Sequence, residues 1–159
     1  MHRINCIIQN QKFKEYIRKN ELQEIDRKFC HHGMEHFLDV ARISYIKVLE
    51  NSLEIEKYII YATALLHDIG RWIEYEAGIP HEKAGIQLAE EILTECGFKT
   101  QEIEVILEAI ANHRKSNNLK NSFSELLYSS DKLSRSCFNC SAYDQCSWTC
   151  DKKNNIIEY

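Results

Sequence analysis

Proline is almost absent from this chain, with one in 159 residues, and glycine is scarce at five. So little punctuation disfavours a fold of many short strands and turns and favours long helices. No apolar run approaches the length of a membrane span. Residues 1 to 20 are polar and lack the apolar stretch of an export signal, so a cytoplasmic location and no membrane partner are expected. Nor is there an excess of positive charge: 20 Lys and Arg stand against 24 Asp and Glu, a formal net charge of -4. That balance argues against a general nucleic-acid surface while leaving room for a local basic pocket. No internal repeat, linker or low-complexity tract marks a domain boundary.

What is present is ordinary for a soluble domain, 44% hydrophobic and 28% charged, in a length that fits one domain with a real core. Cysteine is the exception, with seven, four of them between Cys137 and Cys150. In a reducing compartment such thiols are free or metal-bound rather than paired.

The apolar spacing is helical almost throughout, and no segment alternates with period two. Phe13, Ile17, Leu22 and Ile25 predict one or two short helices ending near Cys30. A longer helix over residues 34–49 would bury Phe37, Val40, Ala41, Tyr45, Val48 and Leu49. The next covers about residues 55–69, with a run broad enough to be central (residues 59–66) and Gly70 as its C-terminal cap. A loop containing Gly78 and Pro80 leads to a helix that begins at His81 and is closed by Gly97. Thr100, with Glu102 and Glu104 close behind, reads as the N-cap of a helix reaching His113. Ser122 and Glu125 form a capping box for a helix carrying Leu126, Leu127 and Leu133. The expectation is an all-α, single-domain helical bundle of about six or seven helices spanning residues 1–159.

Near the ends and apolar faces of those helices stand His36, the doublet His67-Asp68, His81, His113 and Asp131. Imidazole and carboxylate bind the same borderline cations, and neither belongs in a core uncompensated. Helix bundles build metal sites from side chains projecting inward from facing helices, and a carboxylate bridging two ions, here Asp68, would make the doublet useful. The N/O donor set suits Fe, Mn, Zn, Co or Ni, and Mg only marginally.

The ordered pieces His36-Phe-Leu-Asp-Val-Ala, His67-Asp-Ile-Gly, His81-Glu-Lys-Ala-Gly, Ala109-Ile-Ala-Asn-His113 and Ser130-Asp131-Lys132 resemble the HD superfamily of metal-dependent phosphohydrolases. The resemblance runs from about Glu35 to Arg135, giving a domain core of about residues 30–136 and a cysteine-rich tail over residues 137–159. It implies that His36, His67, Asp68 and Asp131 hold a core metal and that His81 and His113 add a second ion. The chain is similar to small bacterial binuclear HD proteins that hydrolyse diadenosine tetraphosphate symmetrically, and more distantly to cyclic-nucleotide phosphodiesterases. The implied chemistry is hydrolysis of a phosphorylated small molecule by a metal-activated hydroxide, with Asp68 and His67 catalytic. Arg71, Lys132, Arg135 and Arg114 are the candidates for holding phosphate.

Other residues carry two readings. His31 and His32 are either substrate contacts or a polar turn, and Asp39 and Glu82 are either supports for the ligating histidines or solvated acids. The stretch from Trp72 to Tyr75 is a nucleobase platform, a local core or a pocket rim. Cys137, Cys140, Cys146 and Cys150 are compatible with structural zinc, an iron–sulfur cluster or free thiols, and their position suggests a lid over the site. Two functions compete with hydrolysis: a non-catalytic nucleotide or redox sensor, and a di-iron oxygenase on the same scaffold. An exposed apolar helix face would allow a homodimer.

Overall fold

The computed structural model describes residues 1–114 and 123–159, and among them all regular structure is helical. Eight α-helices follow in order: α1 (His2–Gln9), α2 (Gln11–Gln23), α3 (Met34–Glu50), α4 (Lys57–Leu66), α5 (Arg71–Ala77), α6 (His81–Glu95), α7 (Thr100–Asn112) and α8 (Phe123–Leu133). Two short 3-10 turns, Cys137–Asn139 and Tyr143–Gln145, punctuate the tail.

Helix α4 is the axis of the bundle. It buries Ile59, Ile60, Ala62, Thr63, Ala64, Leu65 and Leu66, so it is apolar nearly all round, as a helix surrounded by protein must be. The one hydroxyl in that run, Thr63, donates to the Ile59 carbonyl at 2.8 Å and so costs little to bury. Helices α1, α3 and α7 pack on α4, α8 lies against α3 and α7, and α6 lies against α5 and α7. The main core is built on Phe13, Phe37, Leu65, Leu66, Ile92 and Ile106, all shielded from water.

Local chemistry sets the element ends. Asn10 stops α1 and starts α2, its side chain accepting from the Lys12 and Phe13 amides at 2.9 and 3.2 Å. Gly97, at φ +73°, closes α6 as expected, and the Phe98 amide returns to the Leu93 carbonyl at 3.1 Å.

The structure departs from the sequence reading in several places. Helix α4 ends at Leu66, not Ile69, and Gly70 is no C-cap: its φ of -86° is open to any residue. Glycine is required there because an added Cβ would stand 2.6 Å from the Gly85 nitrogen and 2.7 Å from the His81 carbonyl oxygen. Gly70 therefore lets α6 close on the turn after α4. Residues 71–77, where the apolar spacing predicts no helix, form α5, too short to show apolar periodicity. Lys99, not Thr100, is the N-cap of α7, and Glu102 folds back to accept from its amide at 2.8 Å. Leu22, Ile25 and Leu49 are exposed, and α2 stops at Gln23, well short of Cys30. The capping box at Ser122 lies outside the described residues.

Candidate metal centre

Five helices deliver the six expected ligands from near their ends. His36 lies in the first turn of α3, His67 caps the C-terminus of α4 and is followed by Asp68, His81 opens α6, His113 caps α7, and Asp131 lies near the end of α8. All six are buried. They form two groups whose ligand atoms lie within 4.8 Å of one another: His36, His67, Asp68 and Asp131, and Asp68, His81 and His113. Asp68 belongs to both.

The two oxygens of Asp68 divide between the groups. Oδ2 lies 3.3 Å from His67 Nε2 and 3.8 Å from His36 Nε2, while Oδ1 lies 2.9 Å from His81 Nε2 and 3.6 Å from His113 Nε2. Asp131 closes the first group, its Oδ1 3.2 Å from His36 Nε2 and 3.9 Å from His67 Nε2.

Each imidazole is oriented through its other nitrogen. Nδ1 of His67 donates to the Ala64 carbonyl at 2.7 Å, and Nδ1 of His113 to the Ile110 carbonyl at 2.6 Å. Nδ1 of His81 meets the Glu74 carboxylate. Nδ1 of His36 donates to the Ser134 hydroxyl at 3.0 Å, whose own proton goes to the Asp131 carbonyl at 2.8 Å. With Nδ1 protonated, Nε2 of each ring turns a lone pair inward, the tautomer a metal-ligating histidine needs.

A divalent cation fits this interior. Nε2 of His67 and both oxygens of Asp68 are buried without a hydrogen bond of proper geometry. Nε2 of His81 and Nε2 of His113 face each other at 3.2 Å, two acceptors with no proton of their own to share. Buried acceptors so crowded are stable only around positive charge.

The charges already present act in the same sense. Burial alone would raise Asp68, but Arg71 and His67 hold it well below the usual carboxylate range. Asp131 is likewise held low against burial by His36, Arg135 and Lys132. Burial pushes His36 down to about 3 and lowers His113, keeping both neutral. At His67 burial works downward too, but Asp68 and Asp131 overcome it and raise the ring.

The four cations expected to hold phosphate all line one cavity of about 720 Å³, together with His113 and Asp131. Their partners differ. Nε of Arg71 pairs with Asp68 Oδ2 at 2.9 Å, and Lys132 with Asp131 at 2.7 Å. Arg114 is half-exposed and pairs with Glu74 and Glu82 at 3.2 and 3.3 Å. Arg135 is buried, donating to the His31 carbonyl, to His36 Nε2 and to Asp131 at 3.0, 2.9 and 3.2 Å. It braces His36 and Asp131 more than it faces the cavity.

Several doubtful residues now have places. His31 is exposed, whereas His32 is buried, held through its amide (2.7 Å) and Nδ1 by Glu24, with Nε2 3.9 Å from Asp68. Asp39 pairs with Arg42 at the surface, and Glu82 serves Arg114 rather than His81. Trp72 stacks on Tyr16 beneath Lys19 and does not line the cavity; Phe29, Tyr128 and Trp148 do. Cys150 is exposed, while Cys137, Cys140 and Cys146 line a second, small apolar void together with Cys30.

Sequence reasoning missed three supports. Asn20, wholly buried on α2, donates to the Asp68 carbonyl at 3.0 Å and accepts from the Trp72 amide at 2.8 Å, pinning the turn that carries the doublet. Glu74 orients His81, and Glu24 orients His32. A polar residue on an otherwise apolar helix face was the available signal for Asn20. Glu74 and Glu24 look like surface acids in sequence, and nothing there marks them.

Comparison with known proteins agrees with this geometry. An uncharacterized protein from Clostridium beijerinckii is 46% identical over 161 residues, covering the whole of both chains. No solved structure matches. The HD domain family model matches residues 33–138, a span that contains all six candidate ligands, and the chain belongs to the HD domain family.

Proposed function

We propose that this protein is a metal-dependent phosphohydrolase that cleaves phosphate ester or anhydride bonds of a nucleotide. Dinucleoside polyphosphates, nucleoside monophosphates and cyclic nucleotides are the candidate substrates. The observation that carries the reading is the buried Asp68 carboxylate, one oxygen turned to each group of histidines.

In this reading His36, His67, Asp68 and Asp131 hold one divalent cation, and Asp68, His81 and His113 hold a second. Fe, Mn, Zn, Co or Ni suits so nitrogen-rich a donor set better than Mg. When bound, two such ions lower the pKa of a water and neutralise charge developing on phosphate.

The chain itself supplies positioning and binding. The Nδ1 anchors on Ala64, Ile110, Glu74 and Ser134 fix the rings before substrate arrives. Asp68 and His67 are fully buried, so bulk water does not compete at their ligand atoms. The cavity has the volume of a small-ligand pocket. Its walls combine Arg71, Arg114 and Lys132 with the rings of Tyr128 and Trp148, a pairing suited to a phosphate attached to an aromatic base.

A panel of nucleotide phosphates assayed with Mn, Fe, Co, Ni and Mg, beside Asp68→Ala, tests the reading. Turnover that needs an added metal and vanishes in the variant supports it. Substantial turnover retained by Asp68→Ala contradicts the metal mechanism. No turnover on any nucleotide favours a sensor, and oxygen uptake with an organic substrate favours an oxygenase.

A further inference from the structure

The cysteine-rich tail is folded without a core of its own. Among the described residues, none of 134–159 belongs to an apolar cluster, and the tail's regular structure is two 3-10 turns of three residues each. Yet the segment closes on itself and on the bundle. The Phe138 amide reaches the Asn154 carbonyl at 3.2 Å, the Asn154 side chain donates to the Leu133 carbonyl at 2.8 Å, and Lys153 donates to the Tyr143 carbonyl at 2.8 Å. A few hydrogen bonds contribute about 1 kcal/mol each, too little against about 1–2 kcal/mol per ordered residue. Small segments in this position are stapled by disulfides or by a metal.

The sulfurs available for a staple come from two separate places in the chain. Cys30, in the connection between α2 and α3, lines one small void with Cys137, Cys140 and Cys146 of the tail. The void measures about 20 Å³, has apolar walls, and is covered by Phe29, Tyr143 and Trp148. Burial raises the Cys137 thiol, the backbone of Asn154 opposes that, and the thiols of Cys30, Cys146 and Cys140 raise it further. Cys150, part of the same sequence cluster, is exposed and does not line the void.

We propose that Cys30, Cys137, Cys140 and Cys146 form a four-thiolate site for a soft metal, zinc or iron, separate from the His/Asp centre. Four thiolates around one apolar void are the donor set that such metals select. No cysteine belongs to the two groups whose ligand atoms lie within 4.8 Å of one another. Binding therefore either draws the tail inward around one ion or takes up an iron–sulfur cluster. Either occupant ties residues 137–146 to the start of α3.

The site has a consequence for the substrate pocket. Cys30 and Cys146 also line the 720 Å³ cavity, together with Trp148 and Lys152 from the tail. The ring of Trp148 lies 5.2 Å from the Lys132 ammonium. The thiolate centre therefore fastens the wall that carries Trp148 over the cations beside Asp131.

The full-length protein, purified without oxygen from cells supplied with zinc and iron, is examined by metal analysis and X-ray absorption at both edges. Sulfur scatterers at about 2.3 Å from the metal are expected, since the His/Asp centre contains no sulfur. A zinc edge then identifies a single ion, and an iron edge with a visible cluster absorption identifies a cluster. Cys30→Ser is expected to lose the sulfur-bound metal and Cys150→Ser to keep it. Wild-type protein with metal but no sulfur scatterers overturns the proposal without relying on any variant. So does loss of the sulfur-bound metal in Cys150→Ser while Cys30→Ser retains it.

Discussion

Gly70 stands so close to Gly85 that a Cβ on Gly70 would lie 2.6 Å from the Gly85 nitrogen, whereas a Cβ on Gly85 would meet Gly70 no closer than 3.7 Å. The contact is thus asymmetric. It holds α6 against the turn that follows Asp68, and so holds His81 at 2.9 Å from the Asp68 carboxylate.

Substitution should follow that asymmetry. Gly70→Ala forces backbone atoms apart and is expected to cost about 1–3 kcal/mol. Gly85→Ala makes an ordinary contact in a helix interior and is expected to leave stability unchanged or raise it by up to about 1 kcal/mol. Denaturant unfolding of the two variants checks this, and equal losses in both would contradict the geometry. Metal retention should also weaken in Gly70→Ala, at the His81 group first.

Lys132 and Arg135, grouped together as phosphate candidates in the sequence, should separate by experiment. Lys132 is partly exposed in the cavity, so Lys132→Ala is expected to raise KM about tenfold with little change in melting. Arg135 is buried among His31, His36 and Asp131, so Arg135→Ala removes a buried charge partner and is expected to cost about 3 kcal/mol. Steady-state kinetics paired with thermal melts distinguishes the two roles.

Glu74 touches neither shared oxygen of Asp68, yet it orients His81. Glu74→Ala is expected to weaken metal binding at the His81–His113 group by roughly ten- to a hundredfold while sparing the group around His36. Titration with a chelator-buffered metal would read the two affinities separately. An equal loss at both groups would mean that Glu74 acts through the fold.

Far from the centre, Glu102 ties α7 to α1 and α4. The hydrogen bond from Arg3, helped by the Lys99 amide and Tyr58 and opposed by slight burial, lowers it from 4.5 to about 2. Because the unfolded chain binds that proton more tightly, the stabilisation is complete above about pH 4.5 and is lost as pH falls towards 2. The stability difference between wild type and Glu102→Gln should therefore shrink steadily across that window. A difference independent of pH would remove the ionised carboxylate from the explanation.

Much of the centre was legible in sequence because the candidate ligands fall at helix ends in a recurring order: His67-Asp68 after the α4 run, His113 after Ile110, and His36 and His81 at the starts of their helices. Helix α5 was not legible, since seven residues hold no full apolar period. Nor was the need for glycine at position 70, because a close approach between two backbones leaves no trace in hydropathy. Asn20, Glu24 and Glu74 act on the centre from 48, 8 and 7 residues away in sequence from the groups they hold. Cys30 lines one void with Cys137, Cys140 and Cys146 across more than a hundred residues of chain, a proximity that spacing within the tail does not show.

The central claim is that one carboxylate serves two metal positions, and metal stoichiometry tests it most directly. The measurement is made on protein with the cysteines replaced by serine, or with sulfur-bound metal counted separately by X-ray absorption. Metal bound to nitrogen and oxygen is expected at two equivalents in wild type, one in His81→Ala and none in Asp68→Ala. Two equivalents remaining in Asp68→Ala, with the protein folded, would contradict the account.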